Sequence, residues 1–147
     1  MAPGAATAPA ELQALRYPGR EPFALSQERG QVVLIDVWAT WCVPCRRTLP
    51  VVQRLGKELA ERGLRVYALS VDEDPRGIPA FLAELALTLP VLLDVEARAA
   101  ESVLHLDRIP STFVFDRKGR LRHAHGGMDD GFEAQVRAEV AALLAEP

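Results

Sequence analysis

The most continuous apolar run in the chain is Gln31-Val32-Val33-Leu34-Ile35-Asp36-Val37-Trp38, broken by a single acid. A β-branched run of this kind is the pattern of a central strand covered on both faces. Behind it, Leu49, Val52, Leu55 and Leu59 recur at helical spacing and predict a helix from Val43 to about Gly63, with Pro50 as a kink point. Leu64 to Val71 reads as a second buried strand, Pro75 to Ala86 as a helix, Pro90 to Leu93 as a short strand and Val95 to Leu106 as a further helix. Thr112 to Phe115 and Leu121 to His125 form two strands of a hairpin whose turn contains Gly119. Phe132, Val136, Val140 and Leu144 predict a closing amphipathic helix. Phe23 to Ser26 fits a short edge strand. Residues 1–20, rich in Ala and Pro and without sustained periodicity, read as a linker or weakly ordered lead-in. The remainder, residues 21–147, is one domain. Its βαβ units followed by a hairpin and a helix imply an α/β sandwich with a mixed sheet.

Composition narrows the classes of function. The chain has 147 residues, is 49% hydrophobic and carries a formal net charge of -3, enough for one core and without the basic excess that nucleic-acid binding requires. Its apolar runs fall short of the roughly 20 residues needed to span a bilayer. The first ten residues have neither a basic n-region nor an apolar h-region, so an intact secretory signal is not expected there. There are two cysteines, too few for a disulfide framework, and a lone pair two residues apart points to chemistry.

That pair lies in Trp41-Cys42-Val43-Pro44-Cys45, between the central strand and the long helix. A thiol at a helix N-terminus sits near unpaired backbone N–H groups and the positive end of the helix dipole, which favour its thiolate. Cys42 is therefore the expected nucleophile. Cys45, one turn on, is placed to attack a mixed disulfide and release its partner. Pro44 removes a backbone donor and fixes φ between them. Trp38 is expected in the core and Trp41 partly exposed beside the nucleophile.

The segment Trp38-Ala39-Thr40-Trp41-Cys42-Val43-Pro44-Cys45-Arg46 resembles the active-site segment of thioredoxin-like proteins, and is most similar to the TlpA/ResA-like thiol-disulfide oxidoreductases. A second segment, Ile109-Pro110-Ser111-Thr112-Phe113-Val114-Phe115-Asp116-Arg117-Lys118-Gly119-Arg120, resembles the cis-proline loop, strand and hairpin of the same family. The resemblance implies a thioredoxin fold. Cys45 and Pro110 are 65 positions apart, more than in plain thioredoxins, and the extra material between about Leu87 and Leu106 matches the inserted strand and helix of the TlpA/ResA-like branch. It further implies a cis Ile109-Pro110 bond beside the disulfide, with the neighbouring backbone, Trp41, Val43, Pro44 and Gly126 forming the surface that meets a protein substrate. Many members of the branch carry a Glu three residues after the second cysteine. Here that residue is Thr48, while Asp36 stands where plain thioredoxins have a buried acid, so Asp36 is the expected proton acceptor.

The family implies no organic cofactor and no metal. It also implies a monomer in the periplasm or another extracytoplasmic compartment, a membrane electron donor of the DsbD/CcdA type, and protein disulfide or dithiol substrates such as apocytochrome c or copper-site assembly proteins. A copper metallochaperone using the same two thiols, with His105, His123, His125 and Met128 nearby, and a cytosolic thioredoxin are the alternatives. Ala39, three residues before Cys42, lacks the hydroxyl that peroxiredoxin-like proteins carry there.

Overall fold

The computed structural model describes residues 8–147. Seven strands form one sheet: β1 (Gln13–Tyr17), β2 (Pro22–Ala24), β3 (Val32–Trp38), β4 (Leu64–Ser70), β5 (Val91–Leu93), β6 (Ser111–Phe115) and β7 (Leu121–Gly126). Their spatial order is β2-β1-β5-β4-β3-β6-β7. The inner strands β3, β4 and β5 run parallel, while β1, β2, β6 and β7 pair antiparallel. This is the mixed sheet of the thioredoxin fold.

Every residue of β3 is buried, and alternation along a strand sends successive side chains to opposite faces. Val32, Leu34 and Trp38 join the core built with α1 (Cys45–Leu59), α2 (Ile78–Glu84) and α3 (Phe132–Leu144). Val33, Ile35 and Val37 join a second core with Leu12, Phe23, Leu25, Tyr67, Phe113 and Phe115. By parity, Asp36 points to the first face. α1 runs through Pro50 as one element and closes with a 3-10 turn, Ala60–Arg62, ended by Gly63 at φ 111, a left-handed position suited to glycine.

Two expectations need correction. The segment read as a linker, residues 1–20, contains β1, which bridges β2 and β5. Its inward apolar positions are few, mainly Leu12 and Ala14, and so short a period is lost in an Ala- and Pro-rich stretch. Residues 1–7 of that segment lie outside the described residues. We expect Leu12→Ala to cost about 2–5 kcal/mol in urea unfolding, as for a buried leucine. A change near zero would return this segment to linker status.

The continuous helix expected over Val95 to Leu106 forms only as two short pieces, a 3-10 turn at Val95–Ala97 and a wide turn at Ala99–Val103. Glu96 and Ala97 adopt left-handed φ values of 54 and 57, which interrupt a right-handed helix. The Asp94 carboxylate accepts from the backbone N–H groups of Ala99 (2.8 Å) and Ala100 (2.9 Å), so one wide turn begins there, Ala99–Val103. The inserted strand is present as β5; its companion is this turn, whose Ala99 and Leu104 seal the second face.

Candidate active site

β3 delivers the chain to the cysteines through a three-residue connection, Ala39 to Trp41. Val71 N–H donates to the Trp38 carbonyl at 2.9 Å, and Cys42 N–H to that of Ala39 at 3.1 Å. The turn Cys42-Val43-Pro44 then feeds α1, with Cys45 N–H donating to the Cys42 carbonyl at 3.2 Å. Cys42 and Cys45 close into a disulfide with Cα atoms 5.4 Å apart, within the range of an ordinary bridge.

The two sulfurs have different surroundings. Cys45 is fully buried and Cys42 reaches the surface at 5% exposure, between Trp41 (69% exposed) and Val43 (73%). Large apolar side chains exposed on both sides of one sulfur form a docking surface more than a pocket. A surface cleft of about 330 Å3 is lined by Arg108, Ser111 and Gly126 and not by Cys42, Trp41 or Val43. Arg46 lies over the Phe81 ring, 5.0 Å from its centroid, and pairs with Glu84. That surface pair directs the Arg46 charge along α2.

Asp36 lies beneath α1. It is fully buried, pairs across the sheet with Thr112 of β6, and accepts a hydrogen bond from Thr112 Oγ1 at 3.3 Å. Thr48, one turn after Cys45 on the same buried side of α1, donates from its hydroxyl to the Cys45 carbonyl at 3.3 Å. Burial pushes the Asp36 carboxyl from 3.8 up to about 7, with the Thr48 and Thr112 hydroxyls pulling in the opposite sense. Its Oδ2 and the Trp38 Nε1 on the same strand face are both buried without a protein partner. Loss of hydration raises a carboxyl toward the pH at which it exchanges protons with a thiol.

The Ile109-Pro110 bond is cis. β6 begins immediately after it, with Ser111 opposite Val37 near the end of β3, so the loop lies at the same end of the sheet as the cysteines. Ile109 packs against the core cluster that contains Cys42 and Cys45, and Pro110 is buried. The Pro110 carbonyl accepts from Gly127 N–H at 2.7 Å. Gly126 is covered by the Arg108 side chain, whose Cδ would lie 3.0 Å from an added Cβ. Close approach there is therefore made by Arg108 of the same chain.

Reading the sequence alone missed Asp72. Its carboxylate accepts from the Thr40 N–H and Oγ1 and from Ser70 Oγ. A three-residue connection before a Cys-x-x-Cys motif is the signal that a brace is needed, but its partner lies 32 positions away.

The histidines considered for copper are dispersed or engaged. His125 Nε2 is 2.7 Å and His123 Nδ1 3.5 Å from the Glu139 carboxylate on α3. Desolvation holds the His123 imidazole below its ordinary value, although Glu139 favours its charged form.

A thioredoxin fold with a closed Cys-x-x-Cys bridge at the start of its first long helix, facing a cis-proline loop, defines a thiol-disulfide oxidoreductase type of site. Residues 4–124 match the model of the AhpC/TSA family, and the chain belongs to that family. It is 29% identical over 98 residues to the thiol-disulfide oxidoreductase ResA of Geobacillus kaustophilus, covering 67% of this chain and 56% of that protein. It is 35% identical over 126 residues to the thiol:disulfide interchange protein DsbE of Pseudomonas fluorescens biotype C, covering 84% and 66%. The chain thus spans less than two-thirds of either relative. A Chlorobium tepidum structure assigned as a DsbE-type interchange protein superposes with a TM-score of 0.87 at 22% identity, covering 98% of this chain and all of that one. The resemblance to the TlpA/ResA-like branch holds.

Proposed function

We propose that this chain is a protein thiol-disulfide oxidoreductase working as a reductase in an extracytoplasmic compartment. The observation that carries the division of labour is the asymmetry of the pair: Cys42 keeps 5% exposure and is flanked by the exposed Trp41 and Val43, whereas Cys45 is fully buried. The reduced Cys42 thiolate attacks one sulfur of a client disulfide and forms a mixed disulfide, and the departing client thiolate takes a proton from solvent. Cys45 then loses its proton to the Asp36 carboxylate and attacks Cys42 Sγ. The second client sulfur departs as a thiolate and is protonated from solvent, to which Asp36 returns the proton it took. The client thus leaves as a dithiol with two electrons gained, and Cys42–Cys45 is oxidised. A donor returns two electrons to the pair for the next cycle.

The flat, apolar surround of Cys42 suits an extended protein segment. Ile109, held by the cis bond to Pro110, offers neighbouring backbone to it, while the Pro110 carbonyl is engaged by Gly127 N–H; Trp41, Val43 and Pro44 offer apolar contact. The relatives' names, thiol-disulfide oxidoreductase and thiol:disulfide interchange protein, support exchange with disulfides; clients of the cytochrome c maturation or copper-site assembly type are proposed from the resemblance of the two motifs to the TlpA/ResA-like branch. The same resemblance is the ground for proposing a membrane donor of the DsbD/CcdA type and action as a monomer. Among the described residues no helix is long and apolar enough to cross a membrane.

Titrating the pair in a glutathione or dithiothreitol buffer tests the direction of electron flow. We expect a potential at or below about -230 mV, as for a reductase kept charged by a donor; a value above about -150 mV makes the chain an oxidant and sinks this reading. Cys45→Ala should trap a mixed disulfide through Cys42, and mass spectrometry of the adduct identifies the client.

A further inference from the structure

The connection that carries Cys42 is fastened to the end of β4 by one carboxylate. Asp72 Oδ1 and Oδ2 lie 3.2 and 3.0 Å from the Thr40 N–H, and Thr40 Oγ1 donates to Oδ1 at 2.7 Å. Ser70 Oγ donates to Oδ2 at 2.7 Å and accepts from Asp72 N–H at 3.0 Å, which fixes the carboxylate itself. Thr40 is the middle residue of Ala39-Thr40-Trp41. On one side Ala39 is buried and its carbonyl receives Cys42 N–H; on the other Trp41 stands exposed. Hydrogen bonds to an ionised acceptor are about twice as strong as neutral ones. Three residues held at their centre by such bonds have little freedom to carry Cys42 away from the first turn of α1.

We propose that Asp72, acting through Thr40, is the positioning residue that holds Cys42 against the N-terminus of α1 and so keeps its thiol reactive. This rests on Cys42 being the attacking thiol. Asp72 touches neither sulfur; its effect passes through the loop. Its negative charge by itself disfavours a nearby thiolate, so removing the charge and removing the brace act in opposite directions. Thr40→Val separates them, because it deletes the hydroxyl donor, the shortest of the Thr40–Asp72 bonds, at nearly constant shape and leaves the Asp72 charge and the Thr40 N–H contact in place.

The test is the rate of iodoacetamide alkylation of the reduced protein against pH, with the labelled cysteine located by mass spectrometry and folding checked by thermal melting. Thr40→Val should slow labelling of Cys42 at pH 7 about three- to tenfold and move the midpoint of the profile toward the free-thiol value of about 8.5. Thr40→Ser, which keeps the donor, should restore the profile to within about twofold. In an Asp72→Ala background the Thr40→Val effect should shrink, since its partner is gone. A folded Thr40→Val protein with the original rate and midpoint overturns the proposal, as does an equal effect in the Asp72→Ala background. Labelling of Cys45 in place of Cys42 in the unsubstituted protein overturns the assignment of the nucleophile, and this inference with it. Normal Cys42 labelling with an inert Thr40→Val overturns this inference alone.

Discussion

Cys42→Ser is expected to reduce exchange on an insulin-type disulfide, assayed with dithiothreitol as reductant, to the uncatalysed background, a loss on the order of a thousandfold or more. A serine hydroxyl is not ionised near neutral pH, whereas a thiol at the mouth of α1 is biased toward its thiolate by the positive end of the helix dipole. Cys45→Ser should differ in kind: the surface sulfur still attacks, and the reaction stalls at the mixed disulfide because the buried resolving thiol is missing. Both changes delete a cross-link that closes only four residues, worth about 2 kcal/mol in loop-closure entropy. Cooperative unfolding should therefore persist, and lost activity will report chemistry. Equal partial activities for the two variants would mean that the asymmetry between Cys42 and Cys45 does not set their roles.

The legible parts of this fold are those whose information is local. β3 announces itself because all seven residues are buried and six are apolar, so no polar alternation hides it. The cysteine pair and the Ile109-Pro110 segment carry their chemistry within a few residues. The exposure of Trp41 and Val43 follows from the same short motif: they flank a cysteine that must meet a partner.

What escaped the sequence depends on distant neighbours. β1 is a strand because β2 and β5 accept it on either side; little in Gln13-Ala14-Leu15-Arg16-Tyr17 announces it in isolation. Val95 to Leu106 has helical composition, yet Glu96 and Ala97 turn left-handed where Asp94 caps the later turn at Ala99 and Ala100. Asp72 is one of two aspartates in Asp72-Glu73-Asp74, with nothing local to single it out. Folding puts it under Thr40, and no periodicity reports such a contact. Gly126 lies under the exposed Arg108 side chain, a contact that no local pattern in the sequence reports.

Asp36→Asn should produce the second large effect, and its direction changes with the property measured. With its folded pKa raised from 3.8 to about 7, the carboxyl stays protonated in the folded chain after the unfolded chain has released its proton. Its contribution to stability is fully present below 3.8 and is lost as pH climbs through about 7, a total of about 4 kcal/mol. Asparagine, close in shape and uncharged throughout, escapes that loss. Relative to the unsubstituted protein, Asp36→Asn should therefore gain stability between pH 4 and pH 8, read as urea midpoints at the two values. Catalysis should move the other way. Without an acceptor for the Cys45 proton, release of the mixed disulfide at pH 7 should slow on the order of a hundredfold, and the rate should lose its inflection near pH 7. A variant both more stable and slower at pH 8 is the signature of a buried acid kept for its proton. If instead the stability profiles of the two proteins run parallel from pH 4 to pH 8, Asp36 does not titrate in this range, and the proton of Cys45 must leave by another route.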